Sequence, residues 1–370
     1  MIIGIPKEIK NSEHRVSLTE TNVDHLVSEG HTVLVQTKAG EGSRIFDDQY
    51  EKAGAKIVST LEEIYRLSDM VVKVKEPLPE EYDFFKENLI LFTFLHLAAE
   101  PELTEALCQK KVCAVAYETI EDSHGNLPLL KPMSEVAGRV GLLNGVYYLQ
   151  KHTGGRGILA GGVPGVEGGH IVVIGGGAAG INAVEVAVGL KSRVTVLDVN
   201  LERLEYISQI FQGRVQTWFS DEKHLKRSLE RADLVVGAVL LAGQKAPKIV
   251  TEDMIKAMNP KSVAVDISID QGGCFETAKL TSHENPVYEK HDVIHYCVPN
   301  IPSVVPRTST YALTNVSFPF VQQIASQGLE KALQSDPFLK KGLNVYKGAI
   351  TCAPVADALR KKYQPFEELI

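Results

Sequence analysis

Arg15, Lys75, His96 and Asp270 are the side chains of this sequence whose types and positions can do chemistry together. Arg15 follows the first candidate strand in KEIKNSEHRVSL, Lys75 closes MVVKVK, His96 closes LILFTFLH, and Asp270 follows SVAVDIS. Ligands of open α/β sheets bind beyond the carboxyl ends of the strands, so groups at these strand ends are expected to line one interdomain cleft. An arginine grips a carboxylate through two parallel hydrogen bonds, a lysine adds charge or polarises a carbonyl, and a histidine moves a proton near neutral pH. An aspartate there accepts hydrogen bonds from water, an amine or a ribose. Each position also has an ordinary structural reading. His96 is equally a core histidine bonded to a backbone carbonyl, and Arg15 a loop ion pair. Lys75 is a solvated strand end sharing a face with Lys73 by alternation, and Asp270 a turn residue before Gly272 and Gly273. The joint placement favours chemistry.

A second feature binds anions through the backbone. The stretch HIVVIGGGAAGINAVEVAVGLKSRVTVLDVN, from His170 to Asn200, reads as strand, glycine turn, helix and strand, with Gly175, Gly177 and Gly180 in GxGxxG spacing. Gly175 permits the tight turn, Gly177 lets the backbone approach a pyrophosphate, and Gly180 lets the helix Ile181 to Gly189 pack closely on its strand. The unpaired N–H groups of that helix start favour a phosphate without a basic side chain. A lone glycine motif is weak evidence, because such turns also occur for conformational reasons. Here Asp198 ends the second strand about twenty residues on, where a carboxylate accepts hydrogen bonds from an adenosine ribose and repels a 2′-phosphate. That selects NAD over NADP. Arg203 either softens the preference or is an exposed helix charge.

These groups need rigid elements behind them. Candidate strands are Met1 to Ile5, Thr32 to Gln36, Lys56 to Val58, Met70 to Lys75, Leu89 to His96 and Val112 to Ala116. Helical spacing covers Thr19 to Glu29, Asp47 to Ala53, Leu61 to Leu67, Glu80 to Glu87 and Glu102 to Lys110. Alternation of this kind implies a parallel sheet with helices on both faces. Ser134 to His152 has the spacing of one long helix, N-capped by Ser134, ended by Gly154 and Gly155, and bridging two domains. The GGRGILAGGVPGVEGG that follows is either a flexible linker or a loop against the nucleotide turn. Strands at Arg193 to Leu197, Asp233 to Val239, Ser262 to Ile267 and Val293 to Cys297 complete a Rossmann sheet, and the chain from Pro306 onward reads as mostly helical. That tail has too little apolar content for its own core and is expected to pack on an existing domain.

Composition narrows the function classes. A chain of 370 residues with 44% hydrophobic content holds two globular domains, and its net charge of -7 argues against nucleic-acid or anionic-membrane partners. The pI near 5.9 agrees. Cys108, Cys113, Cys274, Cys297 and Cys352 are odd in number and lack metal-ligand spacing, which implies reduced thiols in a cytoplasmic protein. No secretory leader precedes Met1, the apolar stretch Leu89 to Ala99 is too short to span a bilayer, and no metal site is expected.

Several separated motifs resemble the L-alanine dehydrogenase family over essentially the whole chain. They are MIIGIPKEIKNSEHRVSLT, KVKEP at Lys73 to Pro77, FTFLHLA around His96, MSEVAGR at Met133 to Arg139, GGVPGV at Gly161 to Val166, DISIDQGGCFE at Asp266 to Glu276, and PRTST after Val305. The family also includes the NAD-binding subunit of the proton-translocating transhydrogenase. His96 and the absence of a membrane segment favour the dehydrogenase.

The resemblance implies an α/β fold of two doubly wound parallel-sheet domains, the second a Rossmann NAD-binding domain inserted in the first. Residues 1–130 and 306–370 form the substrate and catalytic domain, and 131–305 the NAD-binding domain with its linking helix 134–152. It further implies a homohexamer catalysing NAD-dependent, reversible oxidative deamination of L-alanine to pyruvate and ammonium, by hydride transfer from Cα to the nicotinamide C4 and then imine hydrolysis. Arg15 and Lys75 bind substrate, and His96 and Asp270 form the acid/base pair. Ser134, Asp198, Arg203, Ser220, Val239, Leu240, Ile267, Asp270, Val298, Asn300 and Ile301 match positions around the cofactor. Ile301 stands where the family usually has Met, Lys279 where Arg is common, and Glu20 where Pro often follows Leu-Thr. Phe94, Leu130 and Met133 are candidate walls of a methyl pocket. Alternatives are a dehydrogenase of another small 2-oxo acid, such as glyoxylate or an opine precursor, and a catalytically silent NAD-binding module.

Overall fold

A computed structural model describes residues 1–239 and 245–370. The chain divides into two compact units, one of Met1–Met133 with Ser303–Ile370 and one of Ser134–Pro302.

In the first unit, strands β1 (Ile2–Ile5), β2 (Thr32–Gln36), β3 (Lys56–Val58), β4 (Met70–Val72), β5 (Ile90–Thr93) and β6 (Cys113–Ala116) pair in parallel. Most are short runs of apolar residues without polar alternation, the pattern of strands covered on both faces. Met70, Val71, Val72, Leu91 and Phe92 are all fully buried. Two of the helices between them start on side-chain caps. Thr19 and Asn22 form a capping box for Glu20–Ser28, and Thr60 and Glu63 form another for Leu61–Leu67. Glu20, where the family often has Pro, is the first residue of its helix, a position suited to either.

In the second unit, β7 (His170–Ile174), β8 (Arg193–Asp198), β9 (Val215–Phe219), β10 (Leu234–Gly237), β11 (Val263–Asp266), β12 (Val287–Lys290) and β13 (Val293–Tyr296) form a sheet in the order β12-β13-β11-β10-β7-β8-β9. Its strands are parallel except β12, which pairs antiparallel with β13 at the edge. The order reverses at β7, so the crevice at that switch point lies over the glycine turn.

The chain then returns to the first unit. The helix Pro306–Gln327 contributes Leu313, Val321 and Ile324 to the core that contains Ile3, Val33 and Phe92. The tail is less helical than its composition suggests, because β14 (Leu343–Tyr346) and β15 (Ala349–Ile350) extend the first sheet in the order β15-β14-β6-β5-β4-β1-β2-β3. β14 pairs antiparallel with β6, and β15 turns back to pair antiparallel with β14, as a hairpin permits.

Several boundaries differ from the sequence reading. The long helix is Lys131–Tyr148, so Ser134 lies inside it and is not its N-cap. Pro132 sits in the first turn, where a missing N–H costs nothing. Glu80 to Glu87 is a 3-10 helix over Pro79–Phe84. The glycine-rich stretch after Gly154 is neither a free linker nor a neighbour of the nucleotide turn. Arg156 pairs with Asp233 at 2.7 Å, Asp233 accepts the His170 N–H, and a Cβ on Gly161 would stand 2.2 Å from the Leu190 carbonyl oxygen. Those contacts fix it at the amino end of the sheet, opposite the glycine turn.

Candidate active site

The first unit places its candidate groups beyond the carboxyl ends of β1, β4 and β5, which are neighbours in the sheet. Strand β4 stops at Val72, so alternation no longer governs the two lysines that follow. Lys73 is buried, whereas Lys75 is half-buried with its carbonyl accepting the Thr93 hydroxyl at 3.0 Å. Ser17 donates to the Val72 carbonyl at 2.6 Å and thereby ties the Arg15 loop to the end of β4.

Arg15 is only 2% exposed, and its fork is partly committed. Nε and Nη2 donate to the two carboxylate oxygens of Glu13 at 2.7 and 2.5 Å, and Nη1 faces the Met133 sulfur at 3.0 Å. The ion-pair reading of Arg15 therefore holds in part, with the guanidinium plane fixed by a residue two positions away. A polar cleft of about 150 Å³ beside it is lined by Lys7, Glu8, Glu13, Lys38 and Glu41 among others.

His96 is not a core histidine. The strand before it ends at Thr93, and His96 occupies a left-handed turn with φ 51°, its side chain 44% exposed. The sequence reading did not single out Glu118, which holds this turn. Its carboxylate accepts the N–H of Leu95 at 3.2 Å and of His96 at 2.5 Å, and lies 3.9 Å from Nδ1. Phe94 lies parallel to the imidazole with ring centroids 5.9 Å apart. Glu118 stands just past β6, so the strand-end rule that selected His96 could have selected it too.

Two other acids escaped notice. Glu8 and Glu81 flank the Lys73 ammonium, at 3.4 and 2.9 Å. Burial raises the Glu8 pKa although Lys73 works against it. Burial alone would lower that of Lys73, but the two carboxylates prevail and raise it. The same holds in reverse for Glu76, where burial opposes but Lys75 and the Lys10 partner pull the carboxyl below its usual range.

In the second unit the glycine turn follows β7. Gly175 has φ 95°, and a Cβ there would stand 2.4 Å from the Ala238 carbonyl oxygen; one on Gly180 would stand 1.8 Å from the Gly175 oxygen. Both glycines are required by the protein itself. Gly177 is different. Its φ of -65° suits any residue, and nothing lies within 4 Å of where its Cβ would be. It N-caps the helix Ala178–Gly189 without a side-chain bond, so no side chain of the cap residue takes up the N–H groups of the helix start.

Asp198, at the end of β8, accepts the Gly176 N–H at 2.6 Å and the Asn200 N–H at 2.8 Å. Each oxygen keeps a lone pair for a further donor. Arg203 Cγ and Asp198 Oδ2 both approach the Cβ position of Gly176, and the Ser220 N–H bonds the Asp198 carbonyl, so these residues gather at one end of the turn. Val239 lies on the other side, its N–H donating to Ser268 Oγ at 2.9 Å. Leu240 falls outside the described residues.

Asp270 is exposed in the 3-10 turn Ile267–Gln271, and its carboxylate accepts the Asn300 N–H at 3.1 Å. Gly272 and Gly273 follow with φ 92° and 77°, so the turn reading of this segment also holds. The turn is anchored from beneath by Asp266, which accepts N–H groups of Ser268 and Cys274 at 3.0 and 2.9 Å; burial pushes its pKa up to about 6. Val298 and Ile301 are buried beyond β13, while Ser134 and Ile267 are partly exposed. Ile301 sits in the apolar core of this unit, a place that Met would fill equally well. Lys279 is held by its backbone, whose N–H donates to Tyr288 Oη at 2.8 Å.

Among the described residues no group of three or more His, Cys, Asp or Glu is arranged to hold a metal, and no helix is long and apolar enough to cross a membrane.

Comparison with known proteins assigns the chain to a family. Residues 4–137 match the N-terminal domain, and residues 141–353 the C-terminal domain, described as alanine dehydrogenase/PNT. The chain is 50% identical to an alanine dehydrogenase of Methanococcus maripaludis and 53% identical to one of Staphylococcus saprophyticus, with all of both chains covered in each case. A solved L-alanine dehydrogenase superposes with TM-score 0.95 at 46% identity, covering 97% of this chain and 99% of that one. A transhydrogenase structure from Sinorhizobium meliloti, 23% identical with TM-score 0.83 over 95% of this chain and 100% of its own, shares the fold. With both domain models matched and full-length relatives at half identity, the chain belongs to the alanine dehydrogenase/PNT family.

Proposed function

We propose that this chain catalyses the NAD-dependent, reversible oxidative deamination of L-alanine to pyruvate and ammonium, with the first unit handling substrate and the second holding NAD. The reading is carried by the placement of Arg15, Lys75 and the exposed His96 past three neighbouring strand ends, in a chain half identical to alanine dehydrogenases along its whole length. Arg15, its plane set by Glu13, and Lys75 hold the substrate carboxylate and its carbonyl or amine end. Two cations near one carboxylate orient the substrate, and orientation is a large part of the rate enhancement.

NAD, when bound, takes the hydride from the alanine Cα. The glycine turn and the start of the helix Ala178–Gly189 hold its pyrophosphate, and Asp198 its adenosine ribose, with Ser134, Arg203, Ser220, Val239, Leu240, Ile267, Val298, Asn300 and Ile301 around it. His96 takes a proton from the water that attacks the resulting substrate iminium, and returns one to the departing amine. Its position on the Glu118-held turn fixes where that proton moves. Asp270 positions water and stabilises the charged substrate intermediates.

In the same reading the protein is a cytoplasmic homohexamer, which sedimentation would test. Initial rates of NADH formation with L-alanine, glycine, L-serine and L-2-aminobutyrate test the activity and its range. The proposal expects L-alanine to lead. Comparable or faster rates with a larger side chain would replace alanine as the substrate.

A further inference from the structure

Lys73 and Lys75 stand two residues apart in KVKEP, yet only one is a candidate for touching substrate. Lys73 is 1% exposed and lies between Glu8 and Glu81, themselves 7% and 0% exposed. A buried ammonium flanked by two carboxylates leaves one negative charge over, an arrangement that burial disfavours unless each oxygen is well bonded. The oxygens are bonded, and their partners are specific. Glu81 accepts the Tyr65 hydroxyl at 2.7 Å and the Leu78 N–H at 2.9 Å. Glu8 accepts the N–H groups of Val74 at 2.6 Å and Lys75 at 3.3 Å. The segment from Val74 to Leu78 is thus gripped at both ends by carboxylates that share one lysine. The mechanism above uses neither acid.

We propose that Glu8 is a positioning residue for Lys75: braced by the Lys73 ammonium, its carboxylate fixes the backbone N–H groups of Val74 and Lys75 and so sets the point from which the Lys75 side chain reaches the substrate. The Lys75 carbonyl is held from the other side by Thr93, so the peptide units around this residue are pinned on both flanks. A side chain launched from a pinned backbone loses less freedom when it closes on a ligand. The inference rests on the assignment of Lys75 to the substrate.

Two substitutions separate reach from charge. Glu8→Asp keeps the charge that Lys73 needs but withdraws the oxygens from the two N–H groups; Glu8→Gln keeps an acceptor in reach and gives up the charge. With pyruvate, ammonium and NADH, Glu8→Asp should raise the KM for pyruvate about tenfold, the size of a lost charge-assisted hydrogen bond, and Glu8→Gln by only about two- to threefold. NADH affinity, read by fluorescence titration, should stay within about twofold for both. In a Lys75→Ala background, Glu8→Asp should add less than about twofold, because the residue it acts through is gone. The rate of reductive methylation of Lys75, read by peptide mass spectrometry, should also differ between wild type and Glu8→Asp. That readout survives even if the chain turns over no alanine, so a failed activity and a failed positioning role are told apart. A lowered unfolding midpoint with unchanged KM and unchanged labelling would overturn the proposal, as would an equal KM effect in the Lys75→Ala background. A Glu8→Gln more harmful than Glu8→Asp would also overturn it, by showing that charge and not reach matters.

Discussion

The two units hold their candidate groups by opposite means. In the second, the nucleotide turn is shaped by missing side chains: Gly175 and Gly180 are glycine because a Cβ would strike a carbonyl oxygen, and Gly177 leaves its space open. In the first, every candidate group is braced by a carboxylate: Arg15 by Glu13, the Lys75 backbone by Glu8, and His96 by Glu118. An approach to phosphates needs close backbone and no fixed charge, whereas presenting cations and an imidazole to a small acid needs charges that stay where they are put. The consequence for mutation is that the first unit should fail by loss of charge partners, and the second by added volume.

The largest effect is expected where chemistry and support meet. His96→Ala should lower kcat in both directions by roughly 10²–10⁴-fold, the usual contribution of a positioned acid/base, while NADH still binds. Near-normal turnover would remove His96 from the mechanism. Next comes the charge network itself. Lys73→Ala leaves Glu8 and Glu81 buried without their common cation and should cost about 3–5 kcal/mol in denaturant unfolding. A loss under about 1 kcal/mol would mean that water or protons replace the lysine easily.

A buried histidine in the second unit supplies a pH test. His295 is fully buried, donates through Nδ1 to the Val293 carbonyl at 3.0 Å and accepts from Thr277 at Nε2 at 2.8 Å, and burial lowers its pKa to about 4. The unfolded chain therefore binds this proton first. Stability is full above the unfolded value near ~6.5 and falls as pH drops toward 4, by roughly 3 kcal/mol in all. Unfolding midpoints of wild type and His295→Gln at successive pH values should show a steeper acid loss in the wild type. Equal slopes would assign the acid loss to other groups.

Smaller effects sharpen the contrast. Arg15→Lys keeps the charge but loses the fork that Glu13 orients, and should lower kcat/KM for alanine about ten- to a hundredfold with little change in NAD affinity. Gly177→Ala should leave the unfolding midpoint near wild type, since its Cβ meets nothing, yet weaken NAD about tenfold by occupying the pyrophosphate's approach. An unchanged NAD affinity would make the open space incidental.

The same contrast explains what could be read from the sequence. Glycine spacing, the strand before it and Asp198 lie within one βαβ stretch, so a local pattern carries them. Glu8, Lys73 and Glu81 are joined only by the fold, and Glu118 reaches His96 from the end of the neighbouring strand, so nothing in their spacing announces the pairing. Arg15 is legible as a candidate from its place after a strand, but its pairing with Glu13, two residues away, depends on the loop's fold. Most parallel strands are recognisable as buried apolar runs, but the parallel edge strand β9, VQTWF, is absent from the sequence reading, because it mixes polar with apolar residues and is only partly buried. The antiparallel strands β12, β14 and β15 are not recognisable either, since they are short, and VYEK and LNVY mix polar with apolar residues. Ser134 misled as a cap because a serine before a helical pattern usually is one, and Pro132 had already started the helix.

The central claim is that hydrogen leaves the alanine Cα as hydride, on a substrate held by the first unit's charges. A single turnover of L-alanine deuterated at Cα with NAD, followed by mass spectrometry of the nucleotide, tests it most directly. The account predicts NADH carrying one deuterium and formed more slowly than from unlabelled alanine. NADH without deuterium, or no NADH from alanine at all, would contradict it.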